Sequence, residues 1–431
     1  MRPIEIRPNV FWVGVNDRST ELFEGLWPIM NQGITYNAYL IKDEKNALID
    51  LSKETFTDDF LEQLESLVGL ENLDYVITNH MEPDHSGALL RLRECAPNAK
   101  FLGMAKAVAM MKDFYNIVDN VEVVKHEQTL SLGKNTLKFF FTPLVHWPET
   151  MMTYMVEEKI IFSCDAFGSY GCLDGFLFDD EANNHRYFER EALRYYTNIV
   201  AAYSKNVLQA IDKISAYPVE ILAPSHGLVW RKEPERIISL YKKWATMAAE
   251  PAEPGVTVLY GSMYRNTERA VDFALQAISE AGVPLEVFNV AVTDPSFILP
   301  SLWTKRGLLV AAPTYERAMF PPMVHALDIA EIKGVRNKAA GYFGSYAWSG
   351  GAKAVFEEYA SKLNWDVVGT HEFIGSAKQQ DVQQIQGGGH CHQGGRHPGR
   401  TYSRGGVEQA ADGSSPVIRQ RSGLLRQQRA S

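Results

Sequence analysis

Short apolar runs of β-branched and aromatic character punctuate the first half of the chain: NALIDLS (46–52), LDYVITNH (73–80), LKFFFTPLVH (137–146), KIIFSCDAF (159–167) and VEILAPSHG (219–227). Runs of this length predict strands. Apolar positions recur at helical spacing in SGALLRLRECA (86–96) and in YFEREALRYYTNIVAAYSKNVLQAIDKI (187–214), so this half is expected to fold as sheets with covering helices. AAEPAEPGV (248–256) has turn-forming residues and no hydrophobic period, which predicts a linker. After it, VTVLYGS, LEVFNVAV, RGLLVAAPTY, KAAGYFGSYAWSGG and WDVVGTHEF supply five strands with helical stretches between most of them, the first helix starting at Thr267. Strands alternating with helices predict a parallel, doubly wound sheet.

At 431 residues the chain is long enough for two cores. The expected division is 1–249 and 254–382, followed by a tail, 383–431, of different character. That tail carries seven Arg, no Lys and two acidic residues among Gly, Gln and Ser, and reads as disordered or out of frame. Its GGGHCHQGGRH cluster, with His390, Cys391, His392 and His397, is attributed to biased composition rather than to a metal site. KQQDVQQIQ opens a closing helix that runs into glycines, so one face of the second sheet is expected to be partly uncovered.

Composition narrows the function. Hydrophobic residues make up 45% and charged residues 22%, ordinary for a soluble globular chain. No stretch reaches the roughly 18 apolar residues of a membrane span, so no membrane association and a cytoplasmic location are expected. A net charge of -9 argues against nucleic acid, whose phosphates reward basic surfaces. Four scattered cysteines contain no C-x-x-C pair, which excludes a zinc ribbon or a fused rubredoxin-type iron centre.

The candidate chemistry lies at strand ends. His80-x-Glu82-x-Asp84-His85 follows one predicted strand, and His146, Asp165 and His226 follow three others. In a layered α/β unit such loops collect at one edge, so four histidines and three carboxylates can converge. Two divalent cations would bring +4 against -3 from the carboxylates, and a bridging hydroxide completes neutrality. Without metal the carboxylates would repel one another. His126, His185, His325 and His371 stand alone and are expected to be satisfied structural histidines.

The pattern H-x-[EH]-x-D-H followed by single His, Asp and His resembles the metallo-β-lactamase fold, which implies an αββα sandwich. Hydrolases of that fold usually have His where this chain has Glu82. Glutamate there, HWPET around His146 and an appended α/β unit together resemble the flavodiiron proteins, or A-type flavoproteins, over residues 1–382. The carboxylate-richer set also suits iron better than zinc. The resemblance implies one iron on His80, Glu82 and His146, another on Asp84, His85 and His226, and Asp165 bridging. His85, beside Asp84 on the same metal, is the ligand whose ring could swing aside.

Three loops of the second half point to a flavin. YGSMYRNTERA (260–270) joins a strand to a helix, where backbone N–H groups and the helix dipole favour a phosphate; Ser262, Asn266 and Thr267 add side-chain donors, with Met263 between them. It resembles the flavodoxin loop S/T-x-T-G-x-T, with Tyr264 and Arg265 in place of Thr and Gly. The loop with Pro313, Thr314 and Tyr315, and the loop Ser345-Tyr346-Ala347-Trp348-Ser349-Gly350-Gly351, follow later strands, at the edge where a flavodoxin-like sheet binds FMN. Trp348 offers a flat face to the isoalloxazine, and the glycines permit close backbone approach.

The resemblance therefore implies FMN, two Fe ions, and reduction of O2 to water and/or NO to N2O. Two ferrous ions and reduced FMN together hold the four electrons O2 requires; two NO need two. It also implies a separate rubredoxin-like electron donor and a head-to-tail homodimer, or a tetramer built from it. A metallo-β-lactamase-fold zinc hydrolase and a non-catalytic FMN electron carrier are the rival readings.

Overall fold

The computed structural model describes residues 2–387. Two mixed sheets and a third, parallel sheet carry the fold. The first runs in the order Ile4–Arg7, Val10–Trp12, Tyr39–Ile41, Asn46–Ile49, Leu73–Ile77, Lys100–Gly103, Val121–Val123, antiparallel through its first four strands and parallel thereafter. Side chains on a strand alternate between faces. Accordingly Leu48, Val76 and Phe101 meet Phe60, Leu64, Leu92 and Met111 from the helices Thr57–Leu67, Leu89–Cys95 and Ala105–Tyr115. Ile49, Tyr75, Ile77 and Leu102 turn to the other side.

There they share a core with Leu137, Phe139, Met152 and Phe162 of the second sheet, ordered Thr129–Ser131, Thr136–Phe141, Met151–Met155, Ile160–Cys164, Ile221–Pro224. Ile211, Ile214, Ile237 and Tyr241, from the helices Ser204–Ile214 and Pro234–Thr246, join the same cluster. Helix, sheet, sheet and helix thus form the expected αββα sandwich. Its two sheets bring the ends of Leu73–Ile77, Ile160–Cys164 and Ile221–Pro224 to one edge.

Glu253–Tyr260 opens the third sheet, so the expected linker is shorter than its composition predicts: the preceding helix ends at Thr246 and strand pairing resumes at Glu253. The order Leu285–Asn289, Glu253–Tyr260, Lys305–Ala311, Ala339–Tyr346, Asp366–Ile374 is all-parallel, second-first-third-fourth-fifth, the flavodoxin-like doubly wound arrangement.

Two other stretches differ in detail from their sequence pattern. The stretch 187–214 is not one helix: His185–Tyr195 passes into a wide turn at Tyr196–Val200 and a tight one at Ala201–Tyr203 before Ser204–Ile214 begins. All five residues of the wide turn are buried, and Asn198 donates to Ser296 Oγ (2.6 Å) on the helix Pro295–Thr304. Tertiary contact overrides local period here. At the other end, a nine-residue helix, Gln379–Gly387, crosses the expected boundary at 382, and its Ile385 packs with Val271 and Ala274. This helix therefore covers part of the sheet face expected to be partly uncovered. The tail cluster His390, Cys391, His392 and His397 lies outside the described residues.

No helix among the described residues is long and apolar enough to cross a membrane.

Candidate active site

His80 follows the strand Leu73–Ile77, and Pro83–Ser86 forms a single helical turn closed by His85 N–H to Glu82 O (2.9 Å) and Gly87 N–H to Pro83 O (2.8 Å). Proline at the first helical position suits such a turn, since its missing N–H would have had no partner. Any side chain at Gly87 would begin 2.3 Å from the Glu54 backbone nitrogen, so glycine is required for the turn to seat against 54. The run expected as a tight loop is thus a short helix that aims Asp84 and His85 inward.

Asp165 follows Ile160–Cys164 and His226 follows Ile221–Pro224, two parallel neighbours that deliver both residues to one place. His146 arrives from the loop between Thr136–Phe141 and Met151–Met155. All seven predicted residues converge. His80, Glu82, His146 and Asp165 form one candidate metal-binding group, and Asp84, His85 and His226 another.

Asp165 joins the two. Its Oδ2 lies 3.3 Å from His80 Nε2 and 3.2 Å from His146 Nε2, and its Oδ1 lies 3.0 Å from His85 Nε2 and 3.3 Å from His226 Nε2. Glu82 Oε2 faces His80 and His146 (3.2 and 3.0 Å), and Asp84 Oδ2 faces His85 and His226 (3.4 Å each). Both oxygens of Asp84 and of Asp165, Nε2 of His226 and both ring nitrogens of His85 are buried without a well-formed hydrogen bond. Buried polar atoms are ordinarily hydrogen-bonded. Electron-pair donors that crowd together unaligned, with carboxylates and imidazoles mixed, fit cations between them.

The electrostatics agree. Burial alone pushes the imidazoles down, but the carboxylates offset it and lift His80 and His226 to about 10, and His85 and His146 to about 9. Burial likewise favours neutral carboxylates, yet the surrounding histidines hold Glu82 and Asp165 below the usual range. The cluster is built for positive charge, which protons supply when cations do not.

A surrounding layer fixes the rings. His80 Nδ1 lies 2.7 Å from Glu149 Oε1, which also accepts the Met81 N–H (3.1 Å). His226 Nδ1 donates to the Thr35 carbonyl (2.5 Å), which leaves its Nε2 free to face the cluster. Phe23 packs edge-on against the His226 ring, with Tyr36 and Tyr195 also beside it, and Trp147 packs edge-on against His80. Glu149 was not singled out from sequence; its signal is the carboxylate three residues after His146 in HWPET. His126 and His371 stand apart as expected, His126 accepting from Phe141 N–H and His371 pairing with Asp381.

The loops expected to bind flavin lie at the carboxyl edge of the third sheet, after Glu253–Tyr260, Lys305–Ala311 and Ala339–Tyr346. Thr267 and Ser345 are buried and share a hydrogen bond (2.9 Å), so they tie the first loop to the third rather than pointing outward. Thr314 Oγ1 accepts the Ala352 N–H (3.3 Å), and a Cβ at Gly351 would lie 2.0 Å from the Arg317 carbonyl, which binds the second loop to the third. Asn266 is held by Ser376. By contrast Trp348 is 83% exposed and Tyr264 86%, with Met263 and Tyr315 also open. These loops form a braced rim with bare aromatic faces.

A family model described as "ODP family beta lactamase" matches residues 34–227. The anaerobic nitric oxide reductase flavorubredoxin of Salmonella arizonae is 39% identical over 357 residues, 81% of this chain and 73% of that protein. The chain belongs to the flavodiiron protein family. Among solved flavodiiron structures, the rubredoxin oxygen:oxidoreductase of Desulfovibrio gigas superposes with a TM-score of 0.86 at 28% identity, over 90% of this chain and 97% of that one. The flavodiiron protein of Giardia intestinalis gives 0.85 at 27%, over 90% and 95%. The match spans both halves, so the flavodiiron assignment covers the metal-site sandwich and the flavodoxin-like sheet together.

Proposed function

We propose that this chain is an oxidoreductase that reduces O2 to water and/or NO to N2O at a pair of iron ions, with electrons passed through FMN from a rubredoxin-like donor. Residues 1–249 would carry the metals and 254–382 the flavin. The observation that supports this most is the division of Asp165, one carboxylate oxygen toward each of two matched triads. The relatives' names point the same way.

His80, Glu82 and His146 would hold one iron, Asp84, His85 and His226 the other, and Asp165 both. When bound, the iron pair and reduced FMN supply the electrons that O2 or NO accepts. The chain supplies position. Each triad offers two imidazoles and one carboxylate, so the two ligand sets are themselves matched in charge. His226 keeps its proton on Nδ1 for the Thr35 carbonyl, and its Nε2 lone pair faces inward. Burial of His80, His85, Asp165 and His226 excludes bulk water from the far side, while Glu82 and His146 retain slight exposure and form the open side for a diatomic substrate. Trp348 would stack on the isoalloxazine, and the helix starting at Asn266 would receive the phosphate. A head-to-tail dimer would bring one subunit's flavin loops beside its partner's metal groups.

The test is to purify the protein, measure Fe, Zn and FMN per chain, reduce it without oxygen, and follow reoxidation by O2 and by NO. Iron with flavin, and oxidation of both by either gas, is the expected result. Zinc without flavin, with ester or thioester turnover, overturns it in favour of a hydrolase. Flavin oxidation with unchanged iron marks an electron carrier instead.

A further inference from the structure

The two triads are alike where they would touch metal: two histidines, one private carboxylate and one oxygen of Asp165 each. They differ one layer out. His80 Nδ1 is 2.7 Å from Glu149 Oε1, and both side chains are wholly buried. The same oxygen takes the Met81 N–H, which holds the carboxylate in line with the ring. Around the other triad, His226 has only the neutral Thr35 carbonyl, and His85 Nδ1 has no hydrogen-bond partner among the described residues. Asp50, a buried carboxylate nearby, accepts the Asn79 N–H through Oδ1 and hydrogen-bonds neither ring.

A carboxylate on the far nitrogen of a ligating imidazole fixes its orientation and makes the near nitrogen a stronger donor; such partners typically contribute 10- to 100-fold in metal affinity. Charge matters more where water is excluded. We propose that Glu149 is a positioning residue that makes the His80/Glu82/His146 site the tighter of the two, so that the Asp84/His85/His226 site releases its metal first. This rests on the two-metal reading above.

The experiment uses the full chain, stripped and reloaded with Co(II) without oxygen, then titrated with a chelator while metal per chain and the Co(II) absorption are followed. Wild type should lose its metal in two steps of one ion each. Asp84→Asn should abolish only the early step. Glu149→Gln should move the late step toward the early one by about 10- to 100-fold and leave the early step in place; the stripped variant should still unfold in one cooperative transition, at a lower temperature because the buried His80 pair is lost, as a check on folding. Release of both ions in one step from wild type overturns the inference, and so does a Glu149→Gln variant whose early step alone is weakened. Uptake of two ions with either result leaves the two-metal reading standing, whereas no uptake at all overturns that reading and the inference with it.

Discussion

The candidate metal groups and the loops proposed to bind flavin stand at the carboxyl edges of their sheets, but they are built differently. At the first site seven ionisable groups are folded into the edge of a closed sandwich and braced from behind by Glu149 and the Thr35 carbonyl. At the second the bracing groups, Thr267, Ser345 and Thr314, look inward, and what faces out is bare: Trp348 and Tyr264. Folding fixes the geometry of the first site and only the rim of the second. Metal removal should therefore make stability depend on pH, because protons on the four histidines must then compensate the buried carboxylates, while flavin removal should cost little beyond the binding energy itself.

The largest expected effect comes from Asp165→Ala. Because its two oxygens serve both triads, the variant should retain neither metal, and O2 and NO turnover should fall to background. Metal analysis of the purified protein decides it, and one full equivalent retained would mean the triads are independent. Glu82→His should be milder. It restores the hydrolase-like pattern and removes one of three compensating negative charges, so iron retention or turnover should weaken by roughly tenfold. Full iron content with unchanged O2 and NO turnover would show that the carboxylate at 82 carries no special weight.

How far these contrasts were legible in the sequence depends on where each residue sits. His80, Asp165 and His226 follow strands whose apolar runs are unmistakable, and strands of one sandwich deliver their loops to a common edge, so their convergence could be anticipated. The parallel, doubly wound character of the third sheet followed from the strand–helix alternation, but its strand order did not. Glu149 could not be found this way. A carboxylate after proline in a turn reads as solvated surface, and only the fold shows it buried behind His80. The wide turn at Tyr196–Val200 was hidden for a related reason: the apolar period continues through it, and the break is set by packing against Ser296. The helix Gln379–Gly387 shows little in the sequence because it has few apolar residues and is followed by glycines, while it is anchored by Ile385 in the core and by Asp381 against His371.

Trp348→Ala tests the flavin side of the comparison. An exposed ring adds nothing to the empty fold, so stability should stay within about 0.5 kcal/mol. Losing a stacking face should weaken FMN by about tenfold, or ~1.4 kcal/mol, with metal content unchanged. Equilibrium titration of the flavin-free variant measures it. An unaltered FMN affinity would remove Trp348 from the site, and lost metal would break the independence of the two sites.

The last contrast, read only as a pH dependence, concerns where each half buries charge. The sandwich concentrates it at the working edge in compensated groups, whereas the flavodoxin-like sheet buries a lone ammonium, Lys338, at its opposite edge, donating to the Trp303 and Lys305 carbonyls (3.2 and 2.7 Å). Burial pulls Lys338 down to about 7. An unfolded lysine titrates near 10.4, so between about pH 7 and 10 the unfolded chain binds the extra proton and stability should rise with pH. Below that window both states are protonated and the slope vanishes. The gain cannot exceed about 1.4 kcal/mol per pH unit for one group. Lys338→Met should lose this slope while costing about 1–3 kcal/mol for the two unpaired carbonyls. Urea unfolding of stripped wild type and variant at pH 7, 8 and 9 isolates it, because the histidine cluster titrates in both and cancels in the difference. A difference that stays flat across this range would mean that the two carbonyls keep Lys338 protonated, and that the second half too compensates the charge it buries.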